Sequence, residues 1–104
     1  MKDAQYLDGD GYPTEACLAH IRKWEGHDWR DLLEFICSVW HWGESMYKWR
    51  GKTLPISTGG WSGNEEVIDA LQQNTMFWAC CWQESKRGGG YKFAPIRVVQ
   101  GKKP

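Results

Sequence analysis

The chain has no excess of either charge: 13 Lys and Arg stand against 13 Asp and Glu in 104 residues, for a formal net charge of +0. That excludes the strongly basic domain that adheres to any phosphate backbone, so nucleic acid is not the expected partner. No apolar run nears the ~18–20 residues of a membrane span, and no membrane partner is expected. The polar start Met1-Lys2-Asp3-Ala4-Gln5 lacks the basic-then-apolar pattern of a secretory signal. There is no internal repeat and no strand–helix alternation, which argues against a doubly wound sheet. Cys17, Cys37, Cys80 and Cys81 fit no disulfide framework, since a bridge between the neighbours Cys80 and Cys81 is badly strained. Reduced thiols in a cytoplasm are the expectation. Nothing in the order of residues orients a Cys–His pair for nucleophilic work, and no enzyme and no cofactor are expected.

What the chain has in abundance is tryptophan. Its 8 Trp outnumber its 4 Tyr and 3 Phe together. An indole offers a broad apolar face and one N–H donor, which suits an aromatic core and equally a stacking surface for planar ligands. Charge is also unevenly placed. Residues 1–34 carry eight acids and four bases, whereas residues 86–104 carry six bases and no acid. This polarity fits self-association or a locally held anion, and a solvated basic tail explains Lys102 and Lys103.

One domain is expected over residues 1–104, with an irregular lead-in at 1–13 and a basic tail at 98–104. Asp8-Gly9-Asp10-Gly11 starts like a calcium loop, but Tyr12 and Pro13 then break the pattern. Thr14 is placed to cap a helix running to about Trp24, stopped by Gly26. Asp28 opens a second, strongly amphipathic helix in which Trp29, Leu32, Leu33, Phe35, Ile36, Val39 and Trp40 recur at helical spacing up to Gly43. Residues 45–58 read as a hairpin, Met46–Trp49 and Thr53–Ser57 around Arg50-Gly51-Lys52, with Pro55 marking an edge strand. A third helix covers Glu65–Gln73, with Ser62 and Glu65 as a capping box, Asn64 as a rival cap and Asn74 as a left-handed stop. Residues 75–85 are apolar on both faces and read as a long central strand. It pairs through the turn Lys86-Arg87-Gly88-Gly89-Gly90 with Tyr91–Ala94. The expected fold is therefore α+β, in the order α-α-β-β-α-β-β, with two hairpins in one antiparallel sheet and three helices packed on it.

Two loops carry candidate binding chemistry. In the first, Thr58-Gly59-Gly60-Trp61-Ser62-Gly63-Asn64, the glycines let backbone N–H groups turn to one point at a helix N-terminus, where an anion is favoured. Thr58, Ser62 and Asn64 add polar groups and Trp61 a stacking face. A plain capped turn accounts for the same residues. The second loop sets Lys86 and Arg87 at a strand end, and Arg87 can fork onto a phosphate. An exposed turn accounts for this one too. If both hairpins share a sheet, the loops can border one pocket, with Trp61, Trp82 and Tyr91 as stacking faces. Such a pocket suits a phosphorylated nucleotide.

Cys17 with His20, and Cys37 with His41, lie three and four residues apart, so a Cys₂His₂ zinc set is geometrically open to the chain. Ordinary core cysteines explain the spacing as well.

Several stretches resemble a known group: Ile56-Ser57-Thr58-Gly59-Gly60-Trp61-Ser62-Gly63-Asn64-Glu65-Glu66, then Met76-Phe77-Trp78, Cys81-Trp82, and Arg87-Gly88-Gly89 before Tyr91 and Phe93. This string, within residues 26–97, is similar to short phage and prophage proteins of no settled activity. Where that group has a second Arg and a His beside the paired Gly, this chain has Lys86 and Gly90. The resemblance implies a phage-encoded protein acting in a bacterial cytoplasm. By analogy with other small phage proteins, it implies counter-defence by sequestering a nucleotide signal, of the cyclic oligonucleotide or cyclic ADP-ribose type, as a homo-oligomer. Two alternatives stand beside it: a module that inhibits a host protein through a Trp-rich surface, and a weak binder of single-stranded nucleic acid.

Overall fold

The structure is a computed structural model and describes residues 5–25 and 28–95. Thr14 opens the first helix as its N-cap, its hydroxyl accepting from the Cys17 N–H at 3.1 Å. This helix, α1 (Glu15–Arg22), ends before Trp24; the expected stop, Gly26, lies outside the described residues. Asp28 caps α2 (Trp29–Val39), accepting from Asp31 N–H at 3.2 Å, and the helix buries Leu32, Leu33, Ile36 and Cys37. The apolar periodicity extends the helix to Gly43, but it stops at Trp40. The Trp40 backbone is extended, and its indole N–H donates to the Ser57 carbonyl at 2.9 Å. Trp42 then takes the left-handed region at φ 67, reversing the chain into a 3₁₀ turn at Gly43–Ser45.

The first hairpin is present with one irregular arm. Its regular strand is β1 (Leu54–Ser57). Residues 46–50 run alongside it through the isolated bridges Tyr47↔Ile56 and Arg50↔Thr53 rather than as a ladder. A strand residue points its N and its O to the same side, and the Pro55 carbonyl accepts from Lys48 N–H. Pro55 therefore lacks a donor on the side where a ladder would have to form.

Next comes α3 (Ser62–Gln73), whose N-cap position is held by Trp61 without any side-chain bond. The expected capping box of Ser62 and Glu65 is not made, and Asn64 sits inside the helix. Asn74 closes α3 at φ −86, not in the left-handed region, and at once opens a further helix, α4 (Thr75–Cys81). The expected long strand over 75–85 is thus a short helix followed by β2 (Trp82–Lys86). The reason is the cap. Asn74 Oδ1 accepts from Phe77 N–H at 3.2 Å, while its Nδ2 donates to the carbonyls of Ile21 and Trp24 at the end of α1. Helix spacing then buries Phe77 and Cys81 and leaves Met76 and Ala79 outside.

The strand β3 (Gly90–Phe93) completes an antiparallel sheet in the order β1–β3–β2. Leu54 faces Phe93 and Ile56 faces Tyr91, so the two hairpins do share one sheet. The architecture is α+β, with four α-helices among the described residues in place of the three expected. Phe77, Phe93, Ile21, Leu32, Leu33 and Leu71 are fully buried between sheet and helices, and each such burial is worth roughly 1.5–3 kcal/mol.

Candidate functional site

The β1–β3 pairing brings the two glycine loops together. Thr58 N–H donates to the Gly89 carbonyl at 3.0 Å. Gly89 has φ +92, and a Cβ there would lie 2.3 Å from Thr58 Oγ1. The loops pack directly on each other, with Thr58 only 1% exposed.

Inside the first loop the polar groups mostly satisfy one another. Gly59 N–H donates to Ser57 Oγ at 3.2 Å, and Gly60 N–H to Thr58 Oγ1 at 3.1 Å. Thr58 Oγ1 in turn lies 3.5 Å from Glu65 Oε2, so the chain's own carboxylate is close to the place where the loop pattern favours an anion. Asn64 is buried: its Oδ1 accepts from His41 N–H at 3.0 Å, and its Nδ2 donates to the carbonyls of His41 and Thr58. It acts as a tie between the end of α2 and the loop. Ser62 is exposed on the first turn of α3.

The stacking residues fall into separate groups. The Trp61 ring lies nearly parallel to His41 at 4.0 Å, touches Tyr12 at 4.5 Å, and covers Gly63, where a Cβ would meet the indole at 2.3 Å. Trp82 stacks on Trp78 at 6.0 Å, and Tyr91 meets Trp78 edge-on at 6.4 Å. Trp61 and Trp82 therefore do not flank one pocket.

The second loop leaves Lys86 and Arg87 exposed. Lys86 pairs with Glu84 at 3.7 Å, and Arg87 has no ion pair among the described residues. Lys86 and Tyr91, with Gly90 and Ser57, line one end of a groove of about 450 Å³. The irregular arm of the first hairpin forms its other wall, contributing Tyr47, Lys48 and Arg50, and β3 adds Lys92. Four cations thus face two acids, Glu44 and Glu84. Lys92, at 3.3 Å, and then Lys86 hold the Glu84 carboxyl below its ordinary range. Lys48 and Arg50 form no ion pair among the described residues. Burial pushes the Tyr47 phenol up, with further help from Cys37, so it stays a neutral donor.

Sequence reasoning places Lys86 and Tyr91 at this groove's end and misses Tyr47, Lys48, Arg50 and Lys92. The one signal in the chain is the basic turn Arg50-Gly51-Lys52, which reads equally as ordinary hairpin chemistry.

The zinc set is not assembled. Cys17 and Cys37 are buried in the core, His20 packs in an aromatic group with Tyr6, Trp24 and Phe35, and His41 stacks on Trp61. No group of three or more His, Cys, Asp or Glu is placed to hold a metal ion among the described residues. Burial pushes the Cys17 thiol up to about 11 and, with Glu34 adding to it, Cys37 to about 12. Among the described residues no helix is long and apolar enough to cross a membrane.

Comparison with known protein families, with curated proteins and with solved structures finds no match to this chain.

Proposed function

We propose that this protein is a non-catalytic binder of a phosphorylated nucleotide, held in the groove between the first hairpin and the sheet. The observation that carries the reading is the wall composition: Lys48, Arg50, Lys86 and Lys92 supply donors for phosphate, and Tyr47 and Tyr91 supply aromatic edges and a phenol for base and sugar. Lys48 and Arg50, on the irregular arm, form no ion pair among the described residues.

With the phage-type signature, the biological role we propose is sequestration of a nucleotide immune signal, of the cyclic oligonucleotide or cyclic ADP-ribose type, in the cytoplasm of a bacterial host. Native mass spectrometry of the protein with cyclic dinucleotides and ADP-ribose derivatives tests it. A discrete adduct, lost in Arg50→Ala, is the expected result. A bare spectrum across the panel overturns it.

One observation favours a second reading, a module that blocks a host protein. Met76, Trp42 and Trp82 are large apolar side chains exposed at 62%, 49% and 41%. Capture of a single host protein with no small ligand present would select this reading.

A further inference from the structure

The strand β2 ends the sheet. β3 pairs with its inner side, and no described segment pairs with its outer side. Such an edge presents unpaired N–H and C=O groups, a template for another strand. The helix that feeds into it leaves an apolar strip open: Met76, Ala79 and Trp82 all lie exposed. The exposed polar residues Gln72, Gln73, Thr75 and Gln83 around the strip carry no charge, so no like charges oppose each other when this surface meets itself.

We infer that the outer edge of β2 is the contact between two copies of this chain, paired antiparallel about a two-fold axis through Ser85. Charge selects this register. Residues two apart on a strand share a face, so Glu84 and Lys86 lie on the same side of the sheet. Pairing centred on Ser85 sets each Glu84 opposite the partner's Lys86. Pairing centred on Glu84 would set two carboxylates directly opposite, which is destabilising. The irregularity between Trp82 and Glu84 points the same way, because it leaves Glu84–Lys86 as the regular run, symmetric about Ser85.

Charges on an edge strand ordinarily guard it against indiscriminate pairing. Opposite charges two residues apart disfavour the registers centred on Glu84 and on Lys86, and a two-fold pairing closes on itself as an isologous dimer rather than a fibre. The inference does not depend on any ligand.

Sedimentation of the full chain over a concentration series tests it, with circular dichroism melts to show that each variant is folded. The wild-type chain should pass from monomer to dimer. Glu84→Lys and Lys86→Glu should each weaken the dimer about tenfold, since each puts like charges opposite one another. The double substitution should restore it, because the charges are exchanged but still opposed. Should a single variant not fold, Ser85→Cys in a Cys80→Ser background gives a second readout: oxidation should form a covalent dimer through the axis. A monomer at every concentration, an oligomer indifferent to these charges, or a double variant as weak as the singles overturns the proposal, as does a Ser85→Cys chain that does not cross-link.

Discussion

Thr58 and Gly89 lie thirty-one positions apart in sequence, yet the N–H of one donates to the carbonyl of the other at 3.0 Å. That bond joins the loop after β1 to the turn before β3, and it requires that residue 89 have no side chain.

Gly89→Ala should therefore destabilise the fold by about 2–5 kcal/mol, combining a left-handed backbone with an overpacked contact at Thr58. Gly88→Ala is the control. Its φ is +86 but nothing lies within 4 Å of a Cβ, so it should cost only the backbone strain of roughly 1–2 kcal/mol. Urea unfolding of the two variants measures the difference, and equal losses would remove the packing argument.

The Asn74 side chain holds two helix ends, the start of α4 and the end of α1. Asn74→Ala leaves Phe77 N–H and the carbonyls of Ile21 and Trp24 without these partners, a loss of about 1–3 kcal/mol. Asn74→Asp keeps the acceptor for Phe77 but turns a buried carboxylate oxygen on the carbonyls of Ile21 and Trp24, and should cost at least as much as Asn74→Ala. Thermal melts followed by far-UV circular dichroism rank the three proteins.

In the groove proposed for a nucleotide, Arg50→Ala and Lys92→Ala should each weaken ligand binding by about tenfold or more, the loss expected for a charge-assisted hydrogen bond. Arg87→Ala distinguishes the sites, since Arg87 does not line this groove. Calorimetric titration that found Arg87→Ala damaging and Arg50→Ala harmless would move the site back to the loops.

The buried thiols make stability depend on alkaline pH. An unfolded thiol titrates near its ordinary value of 9.0, whereas Cys17 and Cys37 titrate at about 11 and about 12 when folded. Below pH 9 both states are protonated and the contribution is complete. Above it the unfolded chain loses protons first, so stability declines from about pH 9 until the folded thiols also ionise. Unfolding midpoints measured from pH 7 upward should fall in this window, and Cys37→Ala should flatten the slope. At neutral pH a thiol reagent should label the partly exposed Cys80 while Cys17 and Cys37 resist until unfolding.

Local chemistry makes α1, α2 and the two hairpins legible in the order of residues. Thr14 and Asp28 cap as their positions imply, because an N-cap uses only neighbours three residues away. The turn glycines close both hairpins for the same reason. Residues 75–81 are illegible because Met76, Phe77, Trp78, Cys80 and Cys81 are apolar whichever period is applied, so pattern alone does not choose between helix and strand. The choice rests on Asn74, and its amide reaches carbonyls fifty and more residues earlier in the chain. The candidate groove is half legible. Lys86 and Tyr91 stand out beside a glycine turn, but Lys48 and Arg50 join them only through the pairing of β1 with β3.

The sequence by itself determined the fold class, the N-caps of α1 and α2, the turns and the even balance of charge, all of which depend on composition or on residues a few positions apart. Only the tertiary structure decided which aromatic groups form, where the cations meet and which strand edge stays open. Those depend on contacts between segments distant in the chain, and burial rather than local preference sets them.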